Sequence, residues 1–163
     1  MNRAWSRISF LPLCVALACL VLAACSGGPV RRVSPPAASI QQLTVNLDGS
    51  WSVDLRLQNY SSIPMRFDSA ELAIMVNDQA AGSLKSAPRI SIGPESADVI
   101  SLPFKPNVEA RMAIADALAG HRSLGYTLKG NLEAVPDQKK SRSFEIDTRN
   151  TLSPVPGLEG VLR

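Results

Sequence analysis

The sequence predicts an all-β fold, an antiparallel sandwich of about seven strands with one short helix. Three observations carry this. Apolar and polar residues alternate with period two over several runs, most plainly in Trp51-Ser52-Val53-Asp54-Leu55-Arg56-Leu57-Gln58. Successive side chains of a strand point to opposite faces, so such a run has one buried face and one wet face. Turn-forming pairs, Asp48-Gly49 and Asn77-Asp78, stand between runs, where a hairpin needs residues that tolerate positive φ. One stretch, 107–120, changes instead to helical spacing with start and stop signals.

The N-terminal segment is a targeting signal rather than part of this fold. Arg3 and Arg7 form a short basic head before an apolar run, 8–24, interrupted by Pro12. That order is expected to be a secretory signal peptide over 1–24; a transmembrane helix needs about 20 apolar residues, a length this run could just reach, so its exit decides. The run exits through Leu22-Ala23-Ala24-Cys25, which resembles the lipobox of bacterial lipoproteins. The resemblance implies cleavage before Cys25 and acylation of its thiol. Small side chains admit the peptidase, and sulfur supplies the nucleophile. Two or more acyl chains, at about 0.8 kcal/mol per buried methylene, hold a protein on a bilayer stably. Ser26 stands where Asp implies inner-membrane retention, so the expectation is an outer-membrane lipoprotein facing the periplasm. Residues 25–38, with Ser26-Gly27-Gly28-Pro29 and a Pro-rich end, are expected to be a flexible tether. The folded body then spans 39–149 and a Pro/Gly-rich tail spans 150–163.

The first hairpin places Leu43, Val45 and Leu47 before Asp48-Gly49, and Trp51, Val53, Leu55 and Leu57 after it. After a break at 59–64, Ala70, Leu72, Ile74 and Val76 share a face, and Asn77-Asp78 turns the chain into 79–86. Alternation over 89–92 stops at Gly93-Pro94. Ile100, Leu102 and Phe104 share the next face, with Pro103 and Pro106 expected to end that strand. The helix has Asn107 as N-cap, Glu109 in its first turn and Gly120 beyond its end. Its apolar stripe reads as Val108, Met112, Ala115 and Leu118 or Ala119, and the helix is expected to cap one end of the sandwich. Leu124, Tyr126, Leu128 and Leu132, then Phe144 and Ile146, define the last two strands. The final segment, 151–163, suits either a last edge strand or a loose tail.

Composition limits the chemistry. The precursor carries 17 Lys and Arg against 14 Asp and Glu, a net +3. Removal of 24 residues containing Arg3 and Arg7 leaves 139 residues with 15 basic against 14 acidic, so the basic precursor does not signal nucleic-acid binding. Cys14 and Cys19 depart with the signal, and acylated Cys25 leaves neither a free thiol nor a disulfide. Arg31-Arg32 and Lys139-Lys140 are local basic spots, read as solvated tether and loop tip or as contacts for anionic lipid heads. His121 is the one histidine, and it sits at the helix exit where the dipole favours it. Metal sites need several His, Cys or carboxylate ligands, so no metal or cofactor is expected. Neither a nucleophile elbow nor a phosphate loop occurs, and no catalytic residues are assigned. Trp51, Phe67, Phe104, Tyr126 and Phe144 share the inward phase of their strands, which is core packing, not base stacking. Tyr60 lies at the strand break with its hydroxyl wet.

The stretch LRLQNYSSIPMRFDSAELAIMVNDQAAGSLKSAPRISIGPESADVISLPF resembles the late embryogenesis abundant group 2 domain, also called the WHy domain. In that family an apolar strand ends in Asn-Pro-Asn, and a later strand enters an Asn-Gly turn followed by a glycine. Asn59 stands at the first Asn, with Tyr60 and Ser61 replacing Pro and Asn. Ile63-Pro64 stands at the apolar-Pro pair that follows, Asn77-Asp78 at the turn and Gly82 at the final glycine. Residues 92–104 fit the closing turn and strand. The resemblance implies an immunoglobulin-like or fibronectin III-like sandwich with no catalysis. It further implies stress or desiccation protection through contacts with envelope proteins or membrane, and, as the alternative, lipid binding or an adaptor role in envelope assembly.

Overall fold

The computed structural model describes residues 31–163. The expected signal peptide, with Leu22, Ala23, Ala24 and Cys25, lies outside the described residues. Two antiparallel sheets face each other. The first is ordered β6-β2-β1-β9, built from Ala97–Phe104, Trp51–Gln58, Ala37–Val45 and Val161–Leu162. The second is ordered β4-β3-β7-β8, built from Gln79–Ser86, Met65–Val76, Leu124–Pro136 and Arg142–Leu152; β5 (Ile90–Ile92) extends the β4 side of β3. A single helix among the described residues, α1 (Val108–Ala119), links β6 of one sheet to β7 of the other. The described residues form nine strands rather than about seven; β5 falls within the alternating run 89–92, whereas the two residues of β9 are too few to give a periodic signal.

The period-two runs bury the expected faces. Trp51, Val53, Leu55 and Leu57 of β2 are buried, as are Leu72, Ile74 and Val76 of β3 and Leu124, Tyr126, Leu128 and Leu132 of β7. Inside β3 the register with β7 shifts between Phe67 and Ser69. This bulge lets Phe67 and Ala70, three positions apart, both face the core. Gly130 shares the inward phase of β7 and faces Leu72. Its φ is +152°, and a Cβ there would lie 2.0 Å from the Glu71 carbonyl oxygen, so the strands can approach only because no side chain is present.

Four expectations are corrected. Leu47 does not continue the first strand: β1 ends at Val45, and Leu47 is fully exposed in a turn where the Gly49 N–H donates to the Asn46 carbonyl. Gly49, at φ +79°, occupies the left-handed position of a short hairpin loop. Pro103 does not end β6, which runs to Phe104 with Pro103 opposite Ser52; β6 is an edge strand, where the missing donor costs no ladder bond. The helix buries Ala110, Ile114 and Ala117 and exposes Val108 (54%) and Met112 (67%). An Ala-Ile-Ala face lets the helix axis come close to β4, whereas the larger Met-containing stripe would hold it away. Lastly, 31–36 is not free of the body: the Arg32 N–H donates to Ser62 Oγ (2.8 Å), the Ser34 N–H donates to Ser61 Oγ (3.0 Å), and β1 begins at Ala37. Of the two readings of the C-terminal segment, the edge strand is the one formed: β9 pairs with Leu43 and Thr44 of β1.

Two side chains of the second sheet bond the backbone of the first. The Ile40 N–H donates to the Tyr126 hydroxyl at 3.0 Å, and Thr148 Oγ1 donates to the Ala38 carbonyl at 2.9 Å. Ile40 adjoins a register shift in β1, which turns its N–H out of the ladder toward Tyr126. Burial pushes the Tyr126 hydroxyl pKa above its ordinary value, against the weaker opposing pull of Ile40 and Asn150. Tyr126→Phe should cost about 1–3 kcal/mol by leaving a buried N–H without an acceptor. The raised folded pKa means the unfolded chain releases this proton first. The wild type therefore keeps this contribution below about pH 10 and loses it as pH rises through the folded value. Urea midpoints from about pH 8 to about pH 11 should fall more steeply for the wild type than for Y126F, and equal slopes would refute the assignment.

Candidate functional site

The residues of the family-like motif occupy separate positions with distinct work. Asn59 follows β2 and is fully buried. Its Nδ2 donates to the carbonyls of Ile63 (2.9 Å), Ile92 (3.2 Å) and Gly93 (2.8 Å), and its Oδ1 accepts from the Ser61 N–H at 2.9 Å. The Asn59 N–H in turn donates to the Ser96 carbonyl at 2.8 Å. One amide thus ties the β2–β3 link to the β5–β6 link. Satisfying buried carbonyls from a side chain replaces water that cannot reach them. Pro64 is exposed beside it, and its carbonyl accepts from the Asp137 N–H.

Asn77 and Asp78 form a two-residue hairpin turn with φ of 45° and 63°, the mirror-image turn that matches strand twist. Asn77 Oδ1 also accepts from the Gly125 N–H at 3.2 Å, fastening the turn to the start of β7. Gly82, at φ +137°, leaves room for the Phe104 ring, which would stand 3.2 Å from a Cβ there. Phe104 in turn meets Trp51 with ring centroids 5.6 Å apart. The structure therefore brings Asn59 and Pro64 together at one end of the sandwich, and Asn77 and Gly82 toward the other. These four residues hold turns and packing and do not converge on a reaction centre.

The end carrying Asn77 has a second character. Asn107 caps α1 through its Oδ1, which accepts from the Ala110 N–H, and hooks the helix to β4 through an Nδ2 bond to the Ala80 carbonyl. The Arg111 guanidinium lies beside Gly49, and the Val45 N–H donates to the Gly160 carbonyl. So the 46–50 turn sits between the helix and the C-terminal loop. Leu47, Val108, Met112 and Leu158, all on these elements, are the exposed large aliphatic side chains of the described residues. An open groove of about 750 Å³ between helix and loop is lined by Leu118, His121, Pro154, Val155, Pro156 and Leu158, among others. No sequence signal marked this groove, because Leu118 and 154–160 meet only through the pairing of β9 with β1.

Electrostatics here are mild. Asp48 is held below the usual carboxylate range by the Ser50 hydroxyl (2.6 Å) and the Ser50 N–H (2.9 Å). His121 is exposed just after the helix, at φ +49°. Among the described residues no cluster of three or more His, Cys, Asp or Glu stands where it could hold a metal, and no helix is long and apolar enough to cross a membrane. The end offers apolar contact area. Asn59→Ala should cost about 2–4 kcal/mol by orphaning three carbonyls. Asn59→Asp should be worse, because it sets an acceptor against acceptors. A chemical-denaturation series that ranked N59D above N59A would sink the donor role.

Comparison with known proteins places the chain. Residues 54–150 match the family described as late embryogenesis abundant protein, and no curated protein matches the chain significantly. Among solved structures it is similar to an Arabidopsis thaliana protein determined in solution, at 10% identity and a TM-score of 0.50, covering 82% of this chain and 87% of that one. A solution structure described as a late embryogenesis abundant (LEA) protein aligns at 12% identity and a TM-score of 0.48 over 94% of each chain. A crystal structure of a protein from Archaeoglobus fulgidus aligns at 12% identity and a TM-score of 0.40, over 76% of this chain and 100% of that one. Likeness at such identity speaks to the fold alone. The sequence match runs from the middle of β2 to near the end of β8, across both sheets and the Asn59 hub, and on that match the chain belongs to the late embryogenesis abundant protein family.

Proposed function

We propose that this protein is a non-catalytic, lipid-anchored bacterial envelope lipoprotein of the WHy type, protecting other envelope components under stress such as desiccation. The observation that carries the reading is the joining of two parts in one chain: a family match over 54–150 behind a lipobox-like Leu22-Ala23-Ala24-Cys25. Cys25 carries the acyl chains, and Ser26 favours the outer membrane with the body on the periplasmic side. Protection works through contact, and the apolar end built from α1, the 46–50 turn and the C-terminal loop supplies the area. Leu47, Val108 and Met112 hold apolar surface in water with little structural need for it, as a surface for partly unfolded proteins requires. The lipid-binding or adaptor alternative is favoured by one observation, the groove between Leu118 and Leu158. The space between the sheets is filled by buried side chains, so a ligand would have to sit at that end instead.

Mass analysis of the protein from its native host should find diacylglycerol and acyl mass on Cys25; an unmodified thiol would end the anchor reading. The full chain should preserve a model enzyme through drying better than an equal mass of albumin. The triple variant L47S/V108Q/M112Q should lose that advantage while its unfolding free energy stays within about 0.5 kcal/mol of wild type. Undiminished protection by the variant would remove the apolar end from the mechanism.

A further inference from the structure

The two basic spots of the sequence lie more than a hundred positions apart, and the fold brings them to one place. The Arg31 guanidinium bonds Asp137 at 3.0 Å, at the start of the turn that carries Lys139 and Lys140. The Arg32 guanidinium bonds Glu95 at 3.2 Å, and the Asp137 N–H bonds the Pro64 carbonyl at 2.9 Å. Residues 31–34, the 59–64 link, the 93–96 turn and the 137–141 turn thus form one end of the sandwich, opposite the apolar end. The acidic residues of these loops, Glu95 and Asp137, are each engaged by an arginine. Lys139, Lys140 and Arg142 are exposed and make no ion pair among the described residues. On the strands leading from this end, Asp68 is paired with Arg66 at 2.7 Å, Asp98 accepts from the Val99 N–H at 2.8 Å, and Glu133 stands opposite Ser143. At the other end Asp48, Asp78, Glu109, Asp116 and Glu159 offset Lys105, Arg111, Arg122 and Arg163.

We propose that this basic end is a seat for the anionic phospholipid headgroups of the membrane that holds the lipid anchor, and that it sets the body upright with its apolar end pointing away. The inference rests on the anchored reading above. Six Cα steps separate Cys25 from Arg31, so a fully extended chain spans at most about 21 Å between them. Arg31 cannot move farther than that from the anchored Cys25. Arg31 and Arg32 are bonded into the 59–64, 93–96 and 137–141 loops, so the end of the molecule nearest the anchor is the basic one. Within such a reach each basic residue close to an anionic surface favours contact by about five-fold, and the effect fades beyond a Debye length of about 8 Å at physiological salt. Tethering supplies the proximity, and the unpaired charges of Lys139, Lys140 and Arg142 supply the orientation.

The test uses the full chain, matured in its host and reconstituted in vesicles of phosphatidylcholine with or without phosphatidylglycerol and a headgroup-bound quencher. A fluorophore on Ser141→Cys reports the basic end, and one on Gln79→Cys reports the apolar end. In vesicles containing phosphatidylglycerol the label at 141 should be quenched more than the label at 79. High salt should reduce the difference to the one seen on neutral vesicles. K139Q/K140Q/R142Q should lower the seated-to-unseated ratio by about five-fold per residue removed. Equal quenching of the two labels, or equal behaviour on neutral vesicles, overturns the proposal, as does an unchanged ratio in the triple variant. The mass of Cys25 in the same samples separates the two failures. An acylated chain with no orientation refutes this inference alone, and an unacylated one refutes the anchor and this inference together.

Discussion

Two sheets stand face to face in this molecule without a disulfide between them, since the three cysteines of the chain, Cys14, Cys19 and Cys25, all precede the body. What holds them is the removal of apolar side chains from water in the gap, at roughly 25 cal/mol per Å². Leu43, Trp51, Val53, Leu55 and Leu57 from one side meet Phe67, Leu72, Ile74, Leu128 and Leu132 from the other. Burial of that kind is strong and unspecific. Sheets held only by grease can slide by one residue pair and still bury similar area. The register is fixed by a few polar contacts placed at the margins: Tyr126 on Ile40, Thr148 on Ala38, and the Asn59 amide on three carbonyls. Each is satisfied only in one alignment.

Much of this was legible in the residues, for reasons tied to period and turn chemistry. A strand with one wet face writes itself as alternation, and β2 and β7 do so along their length and β3 from Ala70 to Val76, beyond its bulge. Asn77-Asp78 and Asp48-Gly49 announce their hairpins because few residues accept positive φ. Leu47 was misplaced because alternation continues by accident into the turn, where a strand and a loop look alike. The helix face was misassigned for a different reason. Hydrophobicity favoured Met112 and Val108, whereas close packing on β4 favoured the small side chains of Ala110 and Ala117, and proximity outweighed transfer energy.

The proposed contact surfaces were less legible, and the cause is distance along the chain. Arg31 and Asp137, or Leu118 and Leu158, become neighbours only after strands far apart have paired. Asn59 could be recognised as a motif position, but its role as a donor to Ile92 and Gly93 depends on a loop more than thirty residues away. Likewise the asymmetry between the ends, one basic and one apolar, is a property of topology. Apart from the 87–89 link, which runs beside the middle of β3, the links and turns of the described residues fall at one end or the other, and residues scattered through the sequence are sorted into two groups.

The outer margin of β1 has a consequence for the molecule at high concentration. Its carbonyl at Ala38 is taken by Thr148, both polar groups of Ile40 face the Tyr126 hydroxyl, β9 covers Leu43 and Thr44, and Gly160 receives the N–H of Val45. No row of idle amides is left along that border for another copy to zip onto. Crowded copies can collide there repeatedly and part again, where an open strand would seed irreversible clumping.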